Sequence, residues 1–370
     1  MATFIRLIDY NSSDEKEKEF FNPENKFFVN EQDDFTKIPG SPIAYWITEN
    51  NYKLFNHSNP FVNYGSPKRC LATGNDKRFV RLWFETIFND INFYSNNTEE
   101  ATDSNKKWFP FQKGGSFRKW YGNNEFLVYW LNNGEEIRKQ NNSTLRNLEY
   151  NFEKAIVWSY INSISLNTRF CCKGYIYSGA GGGIFNIIDS NINFISAYLN
   201  SKISEYLINL MSGETLTYEA GDIEKLPIIF PESDQTKSLI DHLTHQCIDI
   251  SKEEWDSRET SWDFSTNELL CQKTTKRIEE ACNTYCAYWK EQFFKLHTNE
   301  EELNRIFIDI YDLADELTPG VPLEDITILK DEAEIKDGEL IFKKETIIKQ
   351  FISYAVGCMF GRYSPDREGL

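Results

Sequence analysis

The spacing of hydrophobic positions divides the chain into segments with different expected secondary structure. Residues 61–231 contain short apolar runs separated by Gly, Asn and Ser clusters, a pattern typical of strands. Strands are predicted at 79–84, 126–130, 155–158 and 174–177. Apolar residues at helical spacing over 192–211 predict an amphipathic helix in the same stretch. This segment is therefore expected to mix strands and helices.

Residues 232–320 have an almost wholly helical pattern, interrupted near 255–264. Long helices with one apolar face each predict a helical spacer built as an elongated antiparallel bundle. Residues 1–60 are interpreted as a charged N-terminal segment followed by a turn-rich connector. One helix is predicted in the first 36 residues and a short helix within 43–54. Residues 321–370 read as a tail with one helix over 344–360. The expected fold class is α+β.

Charge is unevenly distributed along the chain. The 370 residues carry a formal charge of -17, yet residues 61–174 hold 16 Lys and Arg against 11 Asp and Glu. The negative net charge excludes a uniformly basic protein that coats nucleic acid. The local excess of cations still allows one basic face, which can hold phosphates because such contacts act within a Debye length. Aromatic residues reach 15%, which fits either a ring-rich core or a surface that stacks bases.

Composition and the first residues also favour a reduced, cytoplasmic location. Eight cysteines are too dilute for a disulfide scaffold, and the chain opens without a leader-like segment. The longest apolar run, 347–360, is too short and too polar to cross a bilayer, so no membrane partner is expected.

Enzyme motifs are missing from the sequence. It contains no nucleophile elbow, no phosphate-binding P-loop and no zinc-protease helix motif. The glycine run at 179–183 lacks dinucleotide-binding spacing and is interpreted as a flexible or close-approach loop. Cys282 and Cys286 are interpreted as buried structural thiols, because a metal would need two further ligands and the chain has four His. No metal site and no catalytic residue is predicted.

Three clusters combine cations, glycines, small polar side chains and rings, which suit contact with phosphates and base edges. The first cluster is Lys68, Arg69, Thr73, Asn75, Lys77, Arg78 and Arg81. The second is Lys113, Ser116, Arg118, Lys119, Trp120, Tyr121, Asn123 and Asn124. The third is Trp158, Ser159, Arg169 and Lys173.

Read in order, the chain resembles a known family, the BREX-type phage-defence adenine methyltransferases (the PglX family), which are relatives of type IIG restriction-modification enzymes. The resembling segments in the clusters are LATGNDKRFVRLWFE (71–85), KKWFPFQKGGSFRKWYGNNEFLVYW (106–130) and AIVWSYI (155–161). Others are KIPGSPIAYWITE (37–49), YLNSKISEYLI (198–208), GDIEKLPI (221–228), WDSRETSWDF (255–264), ELNRIFIDIYDLADELTP (302–319) and YAVGCMFGRYS (354–364).

The resemblance departs from the family pattern in two ways. The S-adenosylmethionine loop and the Asn-Pro-Pro-Tyr type motif of the catalytic half do not occur, and the two Asn-Pro pairs are followed by Glu24 and Phe61. The chain also stops at Leu370, where the family continues. The resemblance therefore implies a fragment: a target recognition domain (61–231) with its helical spacer (232–320), without its own cofactor. S-adenosylmethionine would belong to the missing N-terminal methyltransferase half.

What the resemblance implies for function is a sequence-specific DNA-recognition module that positions double-stranded DNA while the catalytic half flips out the adenine. Two alternatives stay open: the methyltransferase activity of the parent protein, and a protein-interaction fragment that docks other BREX proteins or a phage inhibitor. The recognition hypothesis predicts that the three clusters share one concave, positively charged face and that the acidic helices point away from it.

Overall fold

The molecule is described from a computed structural model, which describes residues 2–7, 10–22, 24, 27–45, 47–162, 165–212, 217–271 and 277–364. The α-helices are α1 Ser13–Phe20, α2 Glu49–His57, α3 Asp76–Phe79, α4 Thr98–Asp103, α5 Leu131–Arg138, α6 Ile192–Leu199, α7 Lys202–Ser212, α8 Ala220–Ile223, α9 Asp234–Asp256, α10 Glu268–Cys271, α11 Ile278–Ile310 and α12 Lys344–Met359.

The strands are β1 Ala2–Ile5, β2 Phe27–Asn30, β3 Asn59–Pro60, β4 Ser66–Lys68, β5 Val80–Leu82, β6 Trp108–Gln112, β7 Phe126–Tyr129, β8 Ala155–Ser159, β9 Thr168–Cys171, β10 Ile176–Tyr177, β11 Gly181–Phe185, β12 Pro227–Ile228, β13 Ala333–Lys336 and β14 Glu339–Phe342. Short 3-10 turns lie at Gln32–Lys37, Phe61–Asn63, Trp83–Glu85, Phe88–Asp90, Leu148–Tyr150, Asp189–Asn191 and Leu323–Asp325. The mixture of helices and sheets confirms the expected α+β class.

Two four-stranded sheets organise the middle of the chain. The first has the order β10-β6-β7-β5, with β10 parallel to β6 and the other pairs antiparallel. The second has the order β4-β11-β8-β9 and is antiparallel throughout. Its central strand β8 is buried at every position, as the apolar run at 155–158 predicts.

Within the glycine run at 179–183, residues 181–183 lie in a strand, which corrects their interpretation as a flexible loop, whereas Gly179 and Ala180 form a bend before it. Gly181–Phe185 is buried and pairs with β8 and β4. The close-approach part of that interpretation is confirmed, because a Cβ on Gly182 would lie 2.0 Å from the Trp158 ring. Glycine is required here since the indole of the neighbouring strand fills the space of a side chain.

The predicted helix at 192–211 is present but divided in two. Helix α6 ends at Leu199 and is capped by Asn200, whose side chain donates to Thr168 O on β9 at 3.1 Å and accepts from Thr168 N at 2.8 Å. Helix α7 then begins at Lys202. The asparagine thus ties the helix end to the edge of the second sheet, which ends the helix earlier than apolar spacing alone predicts.

Helices α9 and α11 form the long pair expected from the helical region. Gln246 bonds Asn299, whereas Glu253 bonds Tyr288, so the two helices run antiparallel. One cluster of buried side chains continues from Ile38, through both the second sheet and these helices, to Ile347. The helices therefore share a core with the sheet region rather than leaving it as a separate arm.

The partly buried carboxyl of Glu268 gives a testable pH dependence. It accepts a hydrogen bond from the Trp289 indole at 2.5 Å, and burial raises its pKa to about 7. Since the folded pKa lies above the unfolded value, the contribution of this carboxyl to stability is fully present at low pH. It is lost as the pH rises between about 4.5 and 7. Glu268→Gln keeps the acceptor and removes the titration. The free energy of unfolding of this variant minus that of the parent should rise by about 1–3 kcal/mol from pH 5 to pH 8, as measured by urea unfolding. The same difference in the free energy of unfolding between variant and parent at pH 5 and at pH 8 would contradict the role of Glu268.

Candidate nucleic-acid interface

Loops that are far apart in the chain meet near the end of the second sheet, where strand β8 ends at Ser159 and β11 begins at Gly181. Leu71 forms a parallel bridge with Ser178, and Ala72 an antiparallel bridge with Thr144. The Arg69 guanidinium donates from Nε to Gly179 O at 2.8 Å. These contacts join residues 69–78, 140–146 and 178–181 into one surface, which we call the loop face; it also includes residues 113–117 and 159–161.

The turn at 73–78 is built by short polar side chains. Asn75 caps helix α3 by accepting from Arg78 N at 3.2 Å, and Thr73 donates to Asp76 at 2.5 Å. Gly74 has φ +72°, and a Cβ there would lie 2.7 Å from the backbone of Asn142. The turn is thus held rigidly against residues 140–144, with Asn75, Lys77 and Arg78 exposed.

Residues 113–117 form the neighbouring loop. The Lys113 ammonium pairs with the Asp76 carboxylate at 2.8 Å. Although burial raises the pKa of Asp76, hydrogen bonds from Lys113 and Thr73 lower it below its usual value. Ser159 donates to Gly115 O at 3.2 Å, which seats this loop on the end of strand β8. Gly115 and Ser116 remain exposed at its tip.

The loop face brings exposed cations and polar groups together. Lys77 and Arg78 lie on it, and Arg78 pairs with Glu136 at 2.5 Å with 54% of its side chain exposed. The Arg69 guanidinium stacks 3.9 Å from the Tyr160 ring centroid. Tyr160 and exposed Arg146 belong to this surface but are not predicted from the sequence, because neither lies in a basic, glycine-containing cluster.

About half of the sequence-predicted contact residues are buried instead of exposed. They are Thr73, Arg118, Lys119, Trp120, Tyr121, Asn123, Asn124, Trp158, Ser159 and Arg169. Buried side chains cannot reach a duplex without local opening, so the structure does not support DNA contact through them. The physical reason is that glycine, cation and aromatic patterns are shared by turns that expose these groups and by turns that insert them into a core.

Arg118 and Lys119 show what these side chains do in the fold. Arg118 pairs with Glu254 of α9 at 2.7 Å and lies 4.9 Å from the Trp255 ring centroid. Lys119 pairs at 2.8 Å with Glu300 of α11, which also accepts from the Trp120 indole at 2.8 Å. The second cluster therefore anchors the sheet region to the two long helices.

The remaining amide and aromatic members of the clusters have internal partners as well. Asn123 donates to Ser116 O at 3.0 Å, and Asn124 accepts from Gln112 at 2.6 Å. The Trp158 indole donates to Tyr218 O at 3.0 Å. Tyr121 is buried with Lys252 placed 5.1 Å from its ring centroid. The hydrogen bonds of Asn123, Asn124 and Trp158 each satisfy a polar group that the packing would otherwise leave without a partner.

Three predicted cations lie away from the tip of the loop face. Lys173 follows β9 at the end where Cys171 pairs with Ala155, opposite to the end that carries Ser159. It lies 3.8 Å from Glu153. Lys68 pairs with Glu224 at 3.0 Å, and the Arg81 guanidinium donates at 2.7 Å to carbonyls of its own turn. Lys173 in particular is not brought together with the other clusters.

Within the described residues, the structure contains no group of His, Cys, Asp and Glu arranged to hold a metal ion. Cys282 is buried, and burial raises the pKa of Cys286 to about 12, so this thiol stays protonated at neutral pH. Across the same described ranges, none of the helices combines the length and apolar character needed to cross a membrane.

The fold and surface described above are those of an α+β module without an evident catalytic centre among the described residues. Over its whole length, the chain is 36% identical to the adenine-specific methyltransferase PglX of Lacticaseibacillus casei (strain Zhang). Over 99% of its length, it is 33% identical to the adenine-specific methyltransferase BrxX of Escherichia coli O9:H4 (strain HS). The predicted resemblance to the C-terminal part of such methyltransferases is thereby confirmed.

The chain spans 31% and 29% of the length of these two relatives. No protein-family model matches it. Among solved structures, the type IIL restriction-modification enzyme MmeI in complex with DNA covers 80% of this chain, which covers 36% of that one. The TM-score is 0.45 and the sequence identity is 12%. A similarity this weak supports no conclusion about the fold or function of this chain.

Proposed function

We propose that this chain is the DNA-recognition segment of a BREX-type N6-adenine DNA methyltransferase that acts in phage defence. It would position DNA for a catalytic portion that the chain does not span, and S-adenosylmethionine would bind in that portion. The similarity to two adenine-specific methyltransferases supports the proposal. So does the lack of sequence motifs for methyl transfer in this chain.

The observation that carries the proposal is the loop face itself. On a protein of formal charge -17, it gathers exposed Lys77, Arg78 and Arg146 with the exposed amide side chain of Asn75. Arginine and lysine neutralise phosphates or bridge guanine O6 and N7, and asparagine bridges adenine N6 and N7. The backbone of the turn that carries Asn75, Lys77 and Arg78 is packed against residues 142–144, so less of the backbone has to be ordered when DNA binds.

Binding of a 20 to 30 base-pair duplex should weaken steeply with salt and depend on the loop face. The double variant Lys77→Ala/Arg78→Ala removes two exposed charges, so the slope of log K against log salt should fall by about 1–2. Fluorescence anisotropy between about 50 and 200 mM salt measures this slope.

The matched control is Lys336→Ala/Lys349→Ala, which makes the same change of net charge elsewhere. Lys336 is exposed, and Lys349 is exposed and pairs with Glu345 at 2.6 Å, much as Arg78 pairs with Glu136. Equal slopes for the two double variants would show that only net charge matters and would remove the loop face from the proposal. No measurable duplex binding by the parent chain would instead favour the protein-docking alternative.

A further inference from the structure

Arg169 differs from the other cations inside the molecule. Its side chain is completely buried, and among the described residues its hydrogen bonds go only to neutral oxygens. They are Arg118 O at 3.3 Å, Asn167 Oδ1 at 3.0 Å and Ser159 Oγ at 3.5 Å from both terminal nitrogens. Its Nε has no hydrogen-bond partner within the described residues.

The neighbouring buried cations are each compensated. Arg118 pairs with Glu254 and Lys119 with Glu300, whereas no carboxylate pairs with Arg169 in the described part of the chain. Burial and the positive charge of Arg118 lower the pKa of Arg169 to about 10, so it still carries its charge at neutral pH. A buried charge without a counter-ion is costly, and such groups concentrate at functional sites.

The position of this charge relates it to the loop face. On strand β9, Arg169 lies opposite Val157 of β8, on the same side of the sheet as Ser159. Ser159 Oγ lies between the guanidinium and Gly115 O, at 3.5 Å and 3.2 Å respectively. The uncompensated charge therefore lies directly beneath exposed Gly115 and Ser116.

We propose that the tip at Gly115 and Ser116, with the charge of Arg169 beneath it, is a subsite for one phosphate of the DNA backbone. The two glycines of this loop adopt φ +88° at Gly114 and +141° at Gly115, and a Cβ there would lie 3.2 Å from Ala180 O and 2.6 Å from Asn123 Nδ2 respectively. The loop is therefore packed closely against its neighbours, while Gly115 and Ser116 face solvent. Ser116 supplies a hydroxyl at the same place. Arg169 acts through its field rather than by contact, so it is a positioning residue. The inference rests on the proposed DNA-binding function and adds the phosphate class of ligand and its location.

The main test compares Arg169→Lys with Arg169→Met in duplex binding. A phosphate outside Gly115 would lie roughly 8 Å from the guanidinium, and at an effective dielectric constant of about 20 the charge should change the affinity by about tenfold or more. Arg169→Met should lose that factor, and Arg169→Lys should keep most of it. Folded variants with equal affinity, or with equal losses, would overturn the charge role, and circular dichroism establishes folding.

If Arg169→Met fails to fold, a surface variant tests the phosphate subsite instead. Ser116→Asp places a negative charge at the exposed subsite and should weaken duplex binding about tenfold. Ser190→Asp, which is exposed near Lys154 at the far end of β8, serves as the matched control. Equal affinities for the two aspartate variants would overturn the subsite.

Inorganic phosphate separates failure of the subsite from failure of the proposed function. Millimolar phosphate should shift the backbone amide resonances of Gly115 and Ser116 in nuclear magnetic resonance spectra of the parent chain, and Arg169→Lys should preserve the shift. Phosphate shifts without duplex binding would retain the subsite and reject DNA recognition. Duplex binding with no shift at these amides would reject the subsite and retain DNA recognition.

Discussion

Replacing Glu254 with alanine is expected to lower the free energy of unfolding by about 3–5 kcal/mol. Glu254 pairs with Arg118 at 2.7 Å and Arg258 at 2.9 Å and accepts from Leu329 N at 3.1 Å. Its removal leaves two guanidinium groups in a buried setting without this counter-ion, although Arg258 keeps its pair with Glu332. Chemical unfolding at pH 7 measures the loss.

The same carboxylate should make the protein sensitive to acid. Burial alone would raise the pKa of Glu254, but the charges of Arg118 and Arg258 lower it to about 2. Because the folded pKa lies below the unfolded value, the contribution is present above about pH 5 and is lost as pH falls toward 2. The stability difference between the parent and Glu254→Gln should therefore shrink by about 3 kcal/mol from pH 6 to pH 2.

Glu291→Ala is the control for Glu254→Ala. Glu291 is an exposed carboxylate on helix α11, and its removal should change stability by less than about 0.5 kcal/mol. If Glu254→Ala also stayed within that range, the ion pairs between the second cluster and helix α9 would contribute no net stability, and the anchoring role of Arg118 would be wrong.

Alanine at position 182 should cost about 3 kcal/mol, because there is no room for a Cβ. The added carbon would lie 2.0 Å from Cη2 and Cζ2 of Trp158. That indole is fully buried and donates to Tyr218 O at 3.0 Å, so it cannot rotate away without losing the bond and its packing. Thermal and urea unfolding of Gly182→Ala measure the effect.

Gly221→Ala is the matched control for that substitution. Gly221 lies in helix α8, and a Cβ there meets nothing within 4 Å. Because alanine favours the helix and restricts the unfolded chain, Gly221→Ala should be neutral or stabilising by up to about 1 kcal/mol. A similar loss in both variants would mean that the cost of Gly182→Ala does not come from the Trp158 contact.

The elements that the sequence predicts well are those with a continuous apolar pattern. The strands at 126–130 and 155–158 and the helix over 344–360 are confirmed with ends close to those expected. Strands β6 and β11 are missed, since proline and glycine weaken the strand pattern in them. Sheet pairing with distant segments overrides those weak local preferences.

The candidate site is only partly predictable for a related reason. The sequence identifies the turn at 73–78 and the loop at 113–117, and the structure joins them through the Lys113 and Asp76 pair. It does not distinguish Arg78, which stays exposed, from Arg118, which pairs with Glu254 far along the chain. The same residue type in the same kind of turn can face solvent or a carboxylate on a distant helix.

The sequence by itself determined the α+β class, the two long helices and the resemblance to adenine methyltransferases, because these depend on local periodicity and on motifs read in order. Only the tertiary structure decided which basic residues remain available to a ligand and which are held in ion pairs. The physical reason is that burial and charge compensation depend on neighbours distant in the chain, and local patterns do not specify those neighbours.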